Sequence, residues 1–172
     1  MFVTVVAIVI RSHKIRKKYH RKFRELMEKK EVHDKPEPVS MKEAIAEISP
    51  EVIANVVKNM RTFERKKEFL QKELTQVKLA ALLETNTRYI PKIVLHETGK
   101  TTIDYICDLK IDYLIELLKT DSRVRNYTHK ALGQEVGFGS TQNFTRAFKS
   151  RTGLTPSFFI SELKKTFKEI EG

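Results

Sequence analysis

From residue 49 onward, apolar positions recur at three- and four-residue spacing in a series of short runs, and the residues between the runs are those that start and stop helices. Ser49-Pro50-Glu51 offers an N-cap, a proline suited to the first helical position and an early acid; Ile53, Val56, Val57, Met60 and Phe63 then keep helical spacing. Thr75 can cap a helix that buries Val77, Leu79, Ala80, Leu82 and Leu83. Asn86 can cap the next, with Ile90, Ile93 and Val94 inward, Thr87, Arg88, Lys92 and His96 outward, and Gly99 closing it. Residues 101–120 read as one long helix with two adjoining stripes, Ile103, Cys107, Ile111, Leu114 and Leu118 beside Ile106, Leu109, Tyr113 and Leu117, as expected of a helix packed on two sides.

The densest punctuation lies in residues 128–156. Ala131, Leu132 and Val136 run into Gly137-Phe138-Gly139, and a second pattern starts at Ser140 with Phe144, Ala147 and Phe148 on one face. Gly137 stands just past the last periodic residue, where a left-handed conformation is cheap only for glycine. Ser140 is a good N-cap, Gly153 a stop, and Thr155-Pro156 the start of a further helix. The sequence thus predicts an all-α chain with two helix-turn-helix subdomains, about 75–99 and about 128–156, joined by the long helix 101–120.

With Phe144 and Phe148 inward, Thr141, Gln142, Thr145, Arg146 and Lys149 fall on the outer face of the last pattern, with Asn143 at its margin. Amides and arginine in the first turns of an exposed second helix suit the major groove, since Gln and Asn pair bidentately with adenine and Arg with guanine. Ser140, Lys149 and Arg151 are better placed for phosphate, as is His96 in the earlier subdomain, where Thr87, Arg88 and Lys92 are the candidate readers. Pro91 falls inside that earlier helix and predicts a lost backbone hydrogen bond and a local bend. The bland reading of all these positions is a solvated helix face.

The series Gly137, Phe138, Ser140, Phe144, Arg146, Phe148, Lys149, Gly153, Thr155, Pro156, at its set spacing, resembles the signature of the AraC/XylS family of bacterial transcription regulators. The resemblance extends over roughly residues 49–165. It implies a DNA-binding domain, residues 40–172 here, whose two recognition helices enter successive major grooves about 34 Å apart, and it implies transcriptional regulation with RNA polymerase as a further partner. Two departures stand out. His129 replaces a usual aliphatic residue and reads as a half-buried, hydrogen-bonded core histidine; Gly133 stands where the family prefers Ala, allowing close approach of the recognition helix. Tyr105, Tyr113, Phe158 and Phe159 read as core.

Charge alters the picture at the N-terminus only. The formal net charge is +11, but residues 11–30 hold ten of the 33 basic and two of the 22 acidic residues, so the remainder is close to neutral. Residues 1–10, MFVTVVAIVI, are uninterruptedly apolar and at about 1.5 Å per residue reach about half of a bilayer's hydrocarbon core. Apolar first and basic after is the order of a membrane helix's cytoplasmic exit. The expectation is a partial transmembrane helix at 1–10 and a basic juxtamembrane segment with linker at 11–39, the end of a longer membrane protein or one with an internal start. Some members of the family have such an upstream sensor, through which a homodimer would form. The domain would then lie at the cytoplasmic face of the inner membrane; the alternative is a soluble cytoplasmic protein with a core-packing N-terminus and a solvated basic helix. Residues 31–38, EVHDKPEP, read as linker and 41–48 as a short helix.

Enzymatic chemistry has no foothold in the sequence. The five histidines are scattered without metal-ligand spacing, Cys107 lies in an apolar helix pattern, and no phosphate-cradling glycine loop occurs, so neither cofactor nor metal is expected. Two other classes stay open: a membrane-proximal protein-interaction module, and a sequence-indifferent nucleic-acid binder driven by the basic segment.

Overall fold

Helices begin where a side-chain oxygen can take a free amide. The hydroxyls of Ser49, Thr75, Thr101, Thr128, Ser140 and Thr155 accept from the amides of Val52, Lys78, Asp104, Ala131, Asn143 and Phe158 at 3.1–3.4 Å. The computed structural model describes residues 2–28, 45 and 47–171, with side chains over 15–28, 45 and 47–168. Among these it has eight α-helices and no strand: α1 Phe2–Glu28, α2 Pro50–Arg65, α3 Gln76–Leu82, α4 Tyr89–Thr98, α5 Thr102–Thr120, α6 His129–Glu135, α7 Thr141–Thr152 and α8 Pro156–Glu171. The all-α expectation holds. Two compact bodies result, Met1–Val32 with Phe148–Gly172 and His33–Ala147, the division falling within α7.

In the body His33–Ala147 the apolar stripes of α2 to α5 make one core: Val56, Met60 and Phe63 of α2, Leu79 and Ala80 of α3, Ile90, Ile93 and Val94 of α4, and Tyr105 of α5. Tyr105 keeps its polar end satisfied by donating to Glu64 Oε1 at 2.7 Å; burial, reinforced by that hydrogen bond, holds its phenol well above the usual range. Val77 and Ile103, expected inside, are 70% and 76% exposed. Both occupy the first turn of their helices, ahead of the packed stretch.

Lys110 is the unexpected member of α5. It sits within the apolar stripe, 6% exposed, and its Nζ donates to the Gly137 carbonyl at 2.6 Å and the Gln71 carbonyl at 3.5 Å, standing 5.3 Å from the Phe138 ring centroid. Burial pulls its ammonium below the usual lysine range. A single side chain therefore ties the long helix to the turn before α7 and to the segment after α2.

In the other body α1 lays Tyr19, His20 and Phe23 against α8. Ring centroids are 5.3 Å apart for Tyr19–Phe158 and for Phe23–Phe159, and His20 Nδ1 lies 3.1 Å from Glu162 Oε2. Arg16, Lys17, Lys18, Arg21, Lys22 and Arg24 face solvent. The expected partial transmembrane stretch and the start of the basic segment, through Glu28, lie on one continuous helix. Among the described residues no helix is long and apolar enough to cross a membrane, because charge follows the apolar run within three turns. The linker expected at 31–38 lies outside the described residues, as does most of the short helix expected at 41–48.

Candidate nucleic-acid interface

The second helix-turn-helix is closed by backbone geometry at Gly137. Its φ is +74°, its amide donates to Gln134 O at 3.0 Å, and the Phe138 amide donates to Gly133 O at 2.8 Å, the paired bonds of a Schellman stop. A Cβ at Gly137 would overlap the Leu70 carbonyl oxygen and stand 2.9 Å from its carbon, so the turn is pressed onto the backbone before α3. A Cβ at Gly133 would come 3.1 Å from Phe144 Cβ, which is the close approach of α7 to α6 expected from the sequence. Phe144 is fully buried, with Phe138 at 5.8 Å and the half-buried His129 at 6.5 Å between ring centroids.

This anchoring decides which side chains α7 presents. Thr141, Gln142, Asn143 and Arg146 are exposed; Thr145 is half-buried and donates back to Thr141 O at 2.9 Å. Ser140 caps the helix through the Asn143 amide at 3.2 Å, which engages the hydroxyl assigned to phosphate. Lys149 and Arg151 lie exposed in the last turn.

The first helix-turn-helix repeats this design on different residues. After α3, Glu84 takes the left-handed conformation at φ 53°, its amide donating to Ala81 O at 3.2 Å and the Thr85 amide to Ala80 O at 3.0 Å. The sequence placed a turn between Leu83 and Asn86 but did not single out Glu84, since no glycine marks the left-handed residue. Asn86 Oδ1 accepts from the Tyr89 amide at 3.0 Å, and α4 starts at Tyr89. Pro91 is therefore in the first turn, where amides have no intrahelical acceptor, and the hydrogen bond expected to be lost is not there to lose. Thr87 and Arg88 precede the helix and are exposed; Lys92 and His96 are half-buried, His96 Nδ1 lying 2.9 Å from Glu97 Oε1.

Arg88 and Lys92 converge on a residue that the sequence did not single out. Glu47 Oε2 lies 2.8 Å from Lys92 Nζ and 3.8 Å from Arg88 Nη2. The hydrogen bond and charge of Lys92, then the charge of Arg88, hold the Glu47 carboxyl below its usual range. A carboxylate depressed in the fold stabilises it at neutral pH, and that contribution disappears as pH falls through the carboxylate range. Glu47 is expected to titrate below the usual glutamate range in carbon-detected NMR, and Lys92→Ala to raise it; a wild-type midpoint within that range would deny the pair in solution.

Among the described residues no group of three or more His, Cys, Asp or Glu is placed to hold a metal, and burial pushes the Cys107 thiol up, away from nucleophilic use.

Comparison with known proteins agrees with this architecture. The helix-turn-helix domain family matches residues 79–162. Over 85 residues the chain is 33% identical to the HTH-type transcriptional regulator RipA of Corynebacterium diphtheriae, 49% of this chain and 24% of that one. It is 30% identical over 94 residues to the uncharacterised HTH-type transcriptional regulator YobQ of Bacillus subtilis, 55% of this chain and 37% of that one. The chain thus spans well under half the length of these relatives. The C-terminal domain of AraT, a response regulator from Geobacillus stearothermophilus, shares the fold with a TM-score of 0.53 at 22% identity, covering 67% of this chain and 87% of that one. Residues 79–162 are a helix-turn-helix domain. Its match and the names of these relatives agree with the AraC type of helix-turn-helix, a family of DNA-binding transcription regulators.

Proposed function

We propose that the chain reads DNA sequence to regulate transcription, with α7 as the main reader and α4 as the second, each in one of two successive major grooves. The observation that carries this reading is the state of α7. Its inner face is locked by Phe144, while Gln142, Asn143 and Arg146 are exposed and, among the described residues, have no side-chain partner, so their donors and acceptors are available to base edges. Ser140, Lys149, Arg151 and His96 would position the domain on phosphates, and Thr141, Thr145 and Thr87 would flank the base contacts. Contact with RNA polymerase and pairing through other parts of a longer protein belong to the same proposal, by analogy with the family.

Selection from a random DNA pool at near-physiological salt tests it. The wild type should enrich two half-sites about one helical turn apart, and Arg146→Ala and Gln142→Ala should relax only the half read by α7, each losing about 1–3 kcal/mol of discrimination. Binding without an enriched motif, falling away as salt rises, would mark the affinity as purely electrostatic.

A further inference from the structure

Glu47 lies outside both helix-turn-helix segments, yet one of its oxygens is shared by two cations proposed to face DNA at the start of α4, Lys92 Nζ at 2.8 Å and Arg88 Nη2 at 3.8 Å. A carboxylate there binds the donors that a phosphate oxygen or a base-edge acceptor would bind. The two recognition elements consequently differ before any DNA arrives: Gln142 and Arg146 on α7 are exposed without a side-chain partner among the described residues, whereas Arg88 and Lys92 are occupied. The Glu47 side chain is itself 62% exposed, and an ion pair so open to water contributes little to folding. Stability alone does not account for it, whereas competition at a DNA-facing surface does.

We propose that Glu47 is a residue of the DNA interface that competes with nucleic-acid phosphate for Arg88 and Lys92, holding the first helix-turn-helix in a weakly binding state until the second has docked. The inference rests on the DNA-reading role proposed above. Docking of α7 brings phosphates to the first helix-turn-helix at high effective concentration, and only then is displacement of a tethered carboxylate favourable. Free duplex, meeting α4 first, must displace Glu47 without that help.

The test is binding of the full chain to a fluorescently labelled mixed-sequence duplex across a salt series, read by anisotropy. Glu47→Gln should tighten binding about two- to tenfold at low salt and steepen the slope of log affinity against log salt by about one. Glu51→Gln, an equal change of net charge at an exposed position of α2, should do less. In an Arg88→Gln, Lys92→Gln background the advantage of Glu47→Gln over Glu51→Gln should vanish. Unchanged or weaker binding by Glu47→Gln, an effect no larger than that of Glu51→Gln, or an effect that persists without Arg88 and Lys92 overturns the inference while leaving the DNA reading in place. If neither the wild type nor any variant binds duplex at low salt, the DNA reading falls and the inference falls with it.

Discussion

Gly137→Ala is expected to lower the free energy of unfolding by about 2–5 kcal/mol, measured by urea denaturation, which is the sum of a left-handed backbone penalty and overpacking. Both causes act at one atom. The backbone at Gly137 has φ +74°, and the added Cβ would overlap the Leu70 carbonyl, a main-chain group that cannot swing aside as a flexible side chain could. Relief requires the turn to lift, and lifting it draws the Gly137 carbonyl away from Lys110 Nζ at 2.6 Å, leaving a buried ammonium with one weak partner at 3.5 Å. The same substitution at Gly139, where nothing lies within 4 Å and φ is not positive, should be neutral or slightly stabilising. Equal effects at the two glycines would show that the turn is not pressed onto that backbone.

Phe144→Ala should cost about 3–5 kcal/mol, as large-to-small changes at fully buried aromatics do. The ring is completely enclosed, edge-on to Phe138 at 5.8 Å, and its Cβ lies against the backbone of Gly133, which has no side chain to move into the void. The orientation of α7 depends on this anchor, so DNA affinity should fall along with stability. Arg146→Ala separates the two quantities: DNA discrimination drops while the urea midpoint stays within about 0.5 kcal/mol of wild type, as for surface changes generally. A stable Phe144→Ala protein that keeps full DNA selectivity would remove the link between this core and recognition.

What the sequence revealed depended on whether the causes were local. Capping hydroxyls at Ser49, Thr75, Ser140 and Thr155, and the left-handed glycines at 99, 137 and 153, act over three or four residues, and all are where the sequence placed them. The close approach permitted by Gly133 and the half-buried state of His129 were legible for the same reason, through their offset from a recognisable series. Glu47 was not. Its partner Lys92 is 45 residues away, so no local pattern assigns it a neighbour. Lys110 was overlooked because neighbouring apolar positions carried the helix prediction without it, although a lysine between Cys107 and Leu114 on one stripe was a visible irregularity. At the N-terminal end of the chain the β-branched apolar run and the basic run imply different surroundings, yet one helix, α1, carries both through Glu28.

The unequal chemistry of the two turns has a consequence for how such a protein can change. Where Gly137 stands, every other residue type meets both strain and collision, so that position admits essentially one amino acid. The matching place in the first helix-turn-helix already carries a side chain at φ 53°, so replacing Glu84 by other unbranched types adds little new backbone penalty. Drift is thus confined at one turn and permitted at the other. On the DNA-reading role proposed above, a lineage built this way can vary the turn before α4 without first risking its fold, whereas the turn before α7 stays fixed.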